Sequence, residues 1–110
     1  MSRALFVSKD IGGSQVLVPL ADQVRMNSHE VVVVAEGLAV GQFKKAGFDL
    51  YFQGTRDFQQ ISFVLNTLGV VKDVDPDVVV VSIGSPVNLE RTFAQTANQL
   101  NIPLVAVEDY

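Results

Sequence analysis

The 110-residue sequence predicts a doubly wound α/β domain, five parallel strands in the order 3-2-1-4-5 with helices on both faces. Two observations carry this. Short apolar runs rich in β-branched residues recur along the chain, as expected of strands buried on both faces. Helix-spaced segments separate them, which implies parallel pairing through right-handed crossovers.

The first strand is read at Ala4 to Ser8, "ALFVS". After a break at Asp10 to Ser14, the residues Val16, Leu17, Leu20, Ala21 and Val24 follow the three-and-four spacing of one helical face. Asn27 is the expected left-handed C-cap of that helix. "VVVVA", Val31 to Ala35, is the second strand. Leu38, Phe43 and Ala46 suggest a short helix closed by Gly47, with Gly41 as a weak point inside it. Leu50 to Phe52 is the third strand.

Phe58, Ile61, Leu65, Leu68 and Val71 then share a stripe, with Asp57 as the expected N-cap. Pro76 stops that helix from running into "VVVVSI", Val78 to Ile83, the fourth strand. Ser85 before Pro86 is an N-cap and first-turn pair for a helix from about Val87 to Leu100. Leu104 to Val107 is the fifth strand.

Composition narrows the function. A net charge of -4 is the wrong sign for a phosphate-backbone binder, so nucleic acid is not an expected partner. The absence of cysteine removes disulfides, thiolate metal sites and thiol nucleophiles, and one histidine makes no metal cluster. No apolar run reaches the length of a membrane span, and the N-terminus lacks the apolar core of a signal peptide. A cytoplasmic protein is the expectation.

Ligands of open parallel sheets bind beyond the carboxyl ends of the strands. Three loops are expected to converge there: Ser8 to Gln15, Gly84 to Asn88, and Glu108 to Tyr110. The candidate ligand-binding residues are therefore Asp10, Gly12, Gly13, Ser14, Gly84, Ser85, Glu108 and Asp109. Glycines let a ligand approach the backbone, and the helix N-termini after the first two loops attract anions. "DIGGSQ" matches neither the dinucleotide fingerprint nor the P-loop, however, and a tight strand-to-helix turn explains both glycines equally well. "SIGSP" is not the nucleophile elbow of serine hydrolases, and His29 belongs at the opposite end of the sheet. Asp10, Glu108 and Asp109 form a conceivable acid–base or cation set, with solvated carboxylates as the plainer explanation. No metal site or cofactor is assigned.

Layer accounting predicts one further feature. In this strand order the first two helices cover one face of strands 1 to 3, and the later two cover the opposite face near strands 4 and 5. Alternate valines of the fourth and fifth strands are then expected to be bare, as at an interface or where a covering piece of a longer protein is missing.

Three segments resemble the opening of GT-B glycosyltransferases and of the related UDP-N-acetylglucosamine 2-epimerases: "ALFVSKDIGGSQVLVPLADQV", "SHEVVVVAEG" and "KKAGFDLYFQG". "DPDVVVVSIGSPVNLERTFAQTANQLNIPLVAVED" is similar to the later Pro-Asp strand, helix and "IP" strand of that family. Many members carry a histidine beside the glycine of the first turn and a proline three positions later. Gly13 and Val16 stand at those places, so that histidine's role does not transfer. Ser28 replaces the usual glycine before His29.

The resemblance implies an N-terminal, acceptor-side Rossmann-like domain of a longer protein, not catalytic alone. Its nucleotide-sugar would be held mainly by a second Rossmann-like domain or subunit. The alternative is a stand-alone flavodoxin-like binding or regulatory module that dimerises through its bare sheet face.

Overall fold

A computed structural model describes residues 2–8, 11–54, 60–83 and 88–108; at 11–13, 36, 52–54, 60–66, 83, 88–90 and 108 it describes the backbone alone. Five strands and four helices alternate: β1 (Arg3–Ser8), α1 (Ile11–Met26), β2 (Glu30–Glu36), α2 (Leu38–Lys45), β3 (Leu50–Gly54), α3 (Gln60–Val74), β4 (Val78–Ile83), α4 (Asn88–Gln99) and β5 (Leu104–Glu108). All strand pairs are parallel, in the order β3-β2-β1-β4-β5. This is the order read from the sequence.

β1 is the central strand because its side chains are apolar on both faces. Leu5, Phe6 and Val7 are wholly buried. Strand alternation divides them between two clusters. Leu5 and Val7 join Val34, Val79 and Val81 under α3 and α4, which supply Val71, Val74, Phe93 and Ala97. Phe6 joins Val33, Ala35 and Val80 under α1 and α2, which supply Leu17, Ala21, Ala39 and Phe43. The register matches, since Phe6 stands opposite Val33 on one side and Val80 on the other.

The helix faces differ from the expected stripes in detail. On α1 the buried line is Ser14, Leu17 and Ala21, while Leu20 turns outward. On α2 Ala39 and Phe43 are buried and Leu38 is exposed. On α3, among the described side chains, Thr67, Val71 and Val74 are buried and Leu68 is exposed; those of Ile61 and Leu65 lie outside the described residues. Asp57 and Phe58 lie outside the described residues. Pro19 stands inside α1, where its missing N–H leaves the Gln15 carbonyl without a helical donor. Both residues are exposed, so water can serve that carbonyl.

The predicted bare valine face is smaller than expected. α1 packs against β4 as well as β1, and Val80 is only 5% exposed. The gap is confined to the edge strand β5, where Val105, opposite Val80, is 44% exposed.

All four helices end on a residue with positive φ. α1 ends on Ser28, not the expected Asn27: Ser28 N–H bonds to Arg25 O and His29 N–H to Val24 O, the two bonds of a Schellman motif. Gly47 does the same for α2, with Phe48 bonding back to Phe43 and the two rings meeting edge-on at 5.8 Å. Asn101 closes α4, where Ile102 N–H reaches Ala97 O. α3 differs for a chemical reason. The residue after Asp75 is Pro76, which has no N–H for the longer bond, so only Asp75 N–H to Val71 O forms.

Two side-chain clusters bind the layers. Arg25 lies over the Phe48 ring at 4.0 Å, pairs with Asp22 at 2.6 Å, and donates to the Ala46 and Gly47 carbonyls at the end of α2. At the amino end of the sheet, Arg3 pairs with Glu30 at 3.0 Å and donates to the Val74 carbonyl that ends α3. The Arg3 and Asp77 backbones are joined by Asp77 N–H to Arg3 O, and the Asp77 carboxylate accepts from Arg3 N–H. Nearby, the half-exposed Tyr51 donates its phenol to Asp73, and this bond holds the phenol pKa above its ordinary value of 10.0.

Two outcomes follow from these contacts. Ser28→Gly relieves the left-handed strain of a side-chain-bearing residue and should raise stability by about 0.5–1 kcal/mol, whereas Gly47→Ala, at φ 88, should lower it by about 1 kcal/mol. Denaturant unfolding measures both. The folded state also holds the Tyr51 proton more tightly than the unfolded one, so this bond's contribution is complete below pH 10 and is lost as pH rises further. In a Tyr110→Phe chain, absorbance titration should show the one remaining tyrosine ionising late, and Asp73→Asn should bring it back toward 10.

Candidate functional site

The strand order reverses at β1, with β2 on one side and β4 on the other, and this opens a crevice at the carboxyl ends of β1 and β4. α1 begins three residues after β1 ends, and it packs on β1, β2 and β4 and touches β5. Its first turn therefore stands over the crevice. The first N–H groups of a helix have no acceptor within it, and the macrodipole is positive there.

The glycine pair is placed differently from the expected turn. Gly12 and Gly13 lie in the first turn of α1, in helical backbone, and so belong to the helix. Ser14 follows on the face of α1 that meets the sheet and is wholly buried. Glu108 ends β5 opposite Ile83, which puts its backbone at the crevice end of the sheet. Asp10, Gly84, Ser85 and Asp109 lie outside the described residues.

Ser8 emerges from the structure rather than from the sequence reading, which used it only as a loop boundary. It is the last residue of β1 and pairs with Ala35, so its side chain lies on the face covered by α1. It is wholly buried, and among the described residues its Oγ has no hydrogen-bond partner. Ser82, on β4 and the same face, is also buried. The available signal was a serine closing an otherwise apolar strand beside the reversal of strand order.

His29 stands just before β2, at the amino end, with Nδ1 2.6 Å from Ser2 Oγ. Serine–histidine chemistry at the crevice is thus not assembled. Two open depressions also lie at the amino end. One, of about 330 Å³, is lined by Ser2, Arg3, Glu30, Asp75 and Asp77; the other, of about 200 Å³, by Arg3, Glu30, Val32, Tyr51, Asp73 and Val74. Of their carboxylates, Glu30 and Asp77 bond to Arg3 and Asp73 accepts from Tyr51. Among the described residues no group of three or more His, Asp or Glu side chains is placed to hold a metal ion. No helix among them is long and apolar enough to cross a membrane.

No protein-family profile and no curated protein matches the sequence. Solved structures do match the fold. The glycosyltransferase SsfS6 of Streptomyces sp. SF2575 superposes with a TM-score of 0.69 at 19% identity, over 98% of this chain and 39% of that one. MnaA of S. aureus, solved with UDP, gives 0.74 at 14% identity, over 97% and 29%. The C-terminal domain of the PF1911 hydrogenase from Pyrococcus furiosus gives 0.69 at 13% identity, over 96% and 89%. The chain thus spans well under half the length of SsfS6 and MnaA, and it has the five-stranded, Rossmann-like α/β fold that GT-B glycosyltransferases contain.

Proposed function

We propose that this chain is the N-terminal, acceptor-side domain of a GT-B type glycosyltransferase. In this reading it is not catalytic alone and is completed by a second Rossmann-like domain, in the same chain or another subunit. The observation that carries the reading is the pattern of coverage. Nearly the whole chain is matched by glycosyltransferase structures, yet it accounts for only 39% of SsfS6. The motif resemblance in "SHEVVVVAEG" and "KKAGFDLYFQG" points the same way.

The site in this reading is the carboxyl-end crevice. The α1 first turn with Gly12, Gly13 and the backbone of Ser14 would face the second domain, together with Asp10, Gly84, Ser85, Glu108 and Asp109 from the neighbouring loops. Nucleotide-sugar would be bound by the partner domain, and the sugar acceptor would be approached from this one. A UDP complex among the structural neighbours and the glycosyltransferase activity of others supply the ligand class.

A second reading is a stand-alone binding or regulatory module that dimerises. It is favoured by the hydrogenase domain, which this chain covers over 89% of its length, and by the exposed Val105 on the edge strand.

Affinity purification from the native host followed by a sugar-transfer assay separates the two. The transferase reading expects no transfer by the 110-residue chain alone. It expects transfer by the chain joined to, or co-purified with, a protein carrying a nucleotide-binding βαβ domain. A stable homodimer, with no such domain attached in the gene or in the complex, would overturn it in favour of the module.

A further inference from the structure

The two edges of the sheet are finished differently. At the β3 edge Leu50 stands opposite Val33 but Phe52 stands opposite Val34, so Tyr51 is an extra residue in the ladder, and its phenol is tied to Asp73. Such a bulge, with Asp49 just before the strand, turns an edge away from further pairing. β5 carries no such guard. Its register against β4 is regular from Leu104 to Glu108, and no charged residue stands between Pro103 and Glu108.

The free hydrogen-bonding groups of β5 follow from its pairing. Pro103 O accepts from Val79 N–H, so by strand alternation positions 103, 105 and 107 bond inward to β4. Leu104, Ala106 and Glu108 therefore turn N–H and C=O outward, where β5 has no neighbour among the described residues. The side chains beside this row are apolar and uncovered. Ala106 is exposed on the α4 face, and Val105 is 44% exposed on the α1 face.

Charge selects the occupant. The chain as a whole carries -4, which opposes the association of identical copies. From Thr92 to Val107, however, the sequence holds no Asp, Glu, Lys, Arg or His, the longest such run in the chain. The exposed polar side chains at Gln95, Asn98, Gln99 and Asn101 are all amides, each both a donor and an acceptor. A strand edge and a set of amides are complementary to themselves, and covering them buries no charge. This side of the molecule thus fits a second copy of itself.

We propose that a second copy of this chain pairs with β5 edge to edge, antiparallel, about a two-fold axis perpendicular to the sheet. In the register that uses every outward group, Ala106 stands opposite the partner's Ala106 and Leu104 opposite the partner's Glu108. The two five-stranded sheets become one, and the two Glu108 residues lie at opposite ends of the new pair. The contact is small, so the dimer is weak, with a Kd on the order of 10–100 µM. The proposal supplies the surface that the dimerising-module reading requires and in that respect rests on it. The second domain of the transferase reading faces the carboxyl end and does not occupy this edge.

Sedimentation equilibrium of the 110-residue chain tests it, combined with cross-linking that the absence of native cysteine makes unambiguous. Dimer should predominate at about 1 mM and monomer at about 1 µM. Over that range amide exchange should slow at Leu104, Ala106 and Glu108, while at about 1 µM β5 exchanges as a free edge. Ala106→Cys should cross-link to itself on mild oxidation, because opposed residues of a hydrogen-bonded antiparallel pair lie about 5.5 Å apart, within disulfide reach. Lys44→Cys, exposed on α2, should not. Ala106→Lys and Ala106→Glu should each weaken the dimer about tenfold by setting like charges face to face, and mixing the two variants should restore it. Their melting temperatures at about 1 µM should match the wild type, since the position is exposed. A chain still monomeric at about 1 mM overturns the proposal and the module reading together, and leaves the edge to a different polypeptide. A dimer that neither charged variant weakens and that Ala106→Cys does not cross-link overturns the edge pairing alone, with the module reading left standing.

Discussion

The structure depends on the burial of β1 from both sides. Leu5 and Val7 face one helical layer and Phe6 the other, all without solvent exposure. A strand apolar on both faces is stable only between two layers, and parallel neighbours supply those layers through their crossover helices. Burying three such large side chains contributes on the order of 5–8 kcal/mol before conformational entropy is subtracted. Because β1 has β2 on one side and β4 on the other, the chain must change direction of winding there. The crevice follows from that reversal.

The two ends of the sheet are put to different uses. At the amino end charges and backbone close on themselves: Arg3 joins Glu30 and the end of α3, while Asp77 joins the Arg3 backbone. The helices also terminate at that end, and their left-handed final residues return carbonyls to internal bonds. At the carboxyl end the sheet presents helix N-termini and a buried hydroxyl without a partner among the described residues. Stability is thus concentrated at one end, and donor capacity is left at the other. This division is what a scaffold carrying a ligand site beyond its strands requires.

Strand positions and order were legible because the signal is redundant. "VVVVSI" is too apolar for a one-sided strand, and five such runs separated by helical spacing admit few topologies. The helix faces were less legible. Leu20, Leu38 and Leu68 have the right spacing for a buried stripe, yet each is exposed, while Ser14, Ala39 and Thr67 are buried. Close packing of helix on sheet near the contact line favours small residues, and hydropathy ranks these too low to be chosen. Ser28 was similarly hidden, because a left-handed cap is set by the direction of the next strand and Asn27 was the better candidate on propensity. The covering of β4 was missed because layer accounting assigns each helix to its own strands, whereas α1 reaches from β2 across β1 to β4. For the site, the end of the sheet was legible and the atoms were not. Ser8 stands out only through the lack of a partner among the described residues, and no residue pattern displays an absence.

Native-state amide hydrogen exchange on the isolated chain tests the central claim most directly, because it reads local stability strand by strand. β1, enclosed by both layers, should exchange only through global unfolding, with Leu5, Phe6 and Val7 giving the largest protection in the molecule. The edge strand Leu104–Glu108, with Val105 uncovered, should open at a markedly lower free energy. Equal protection of β5 and β1, or faster exchange in β1, would contradict the account.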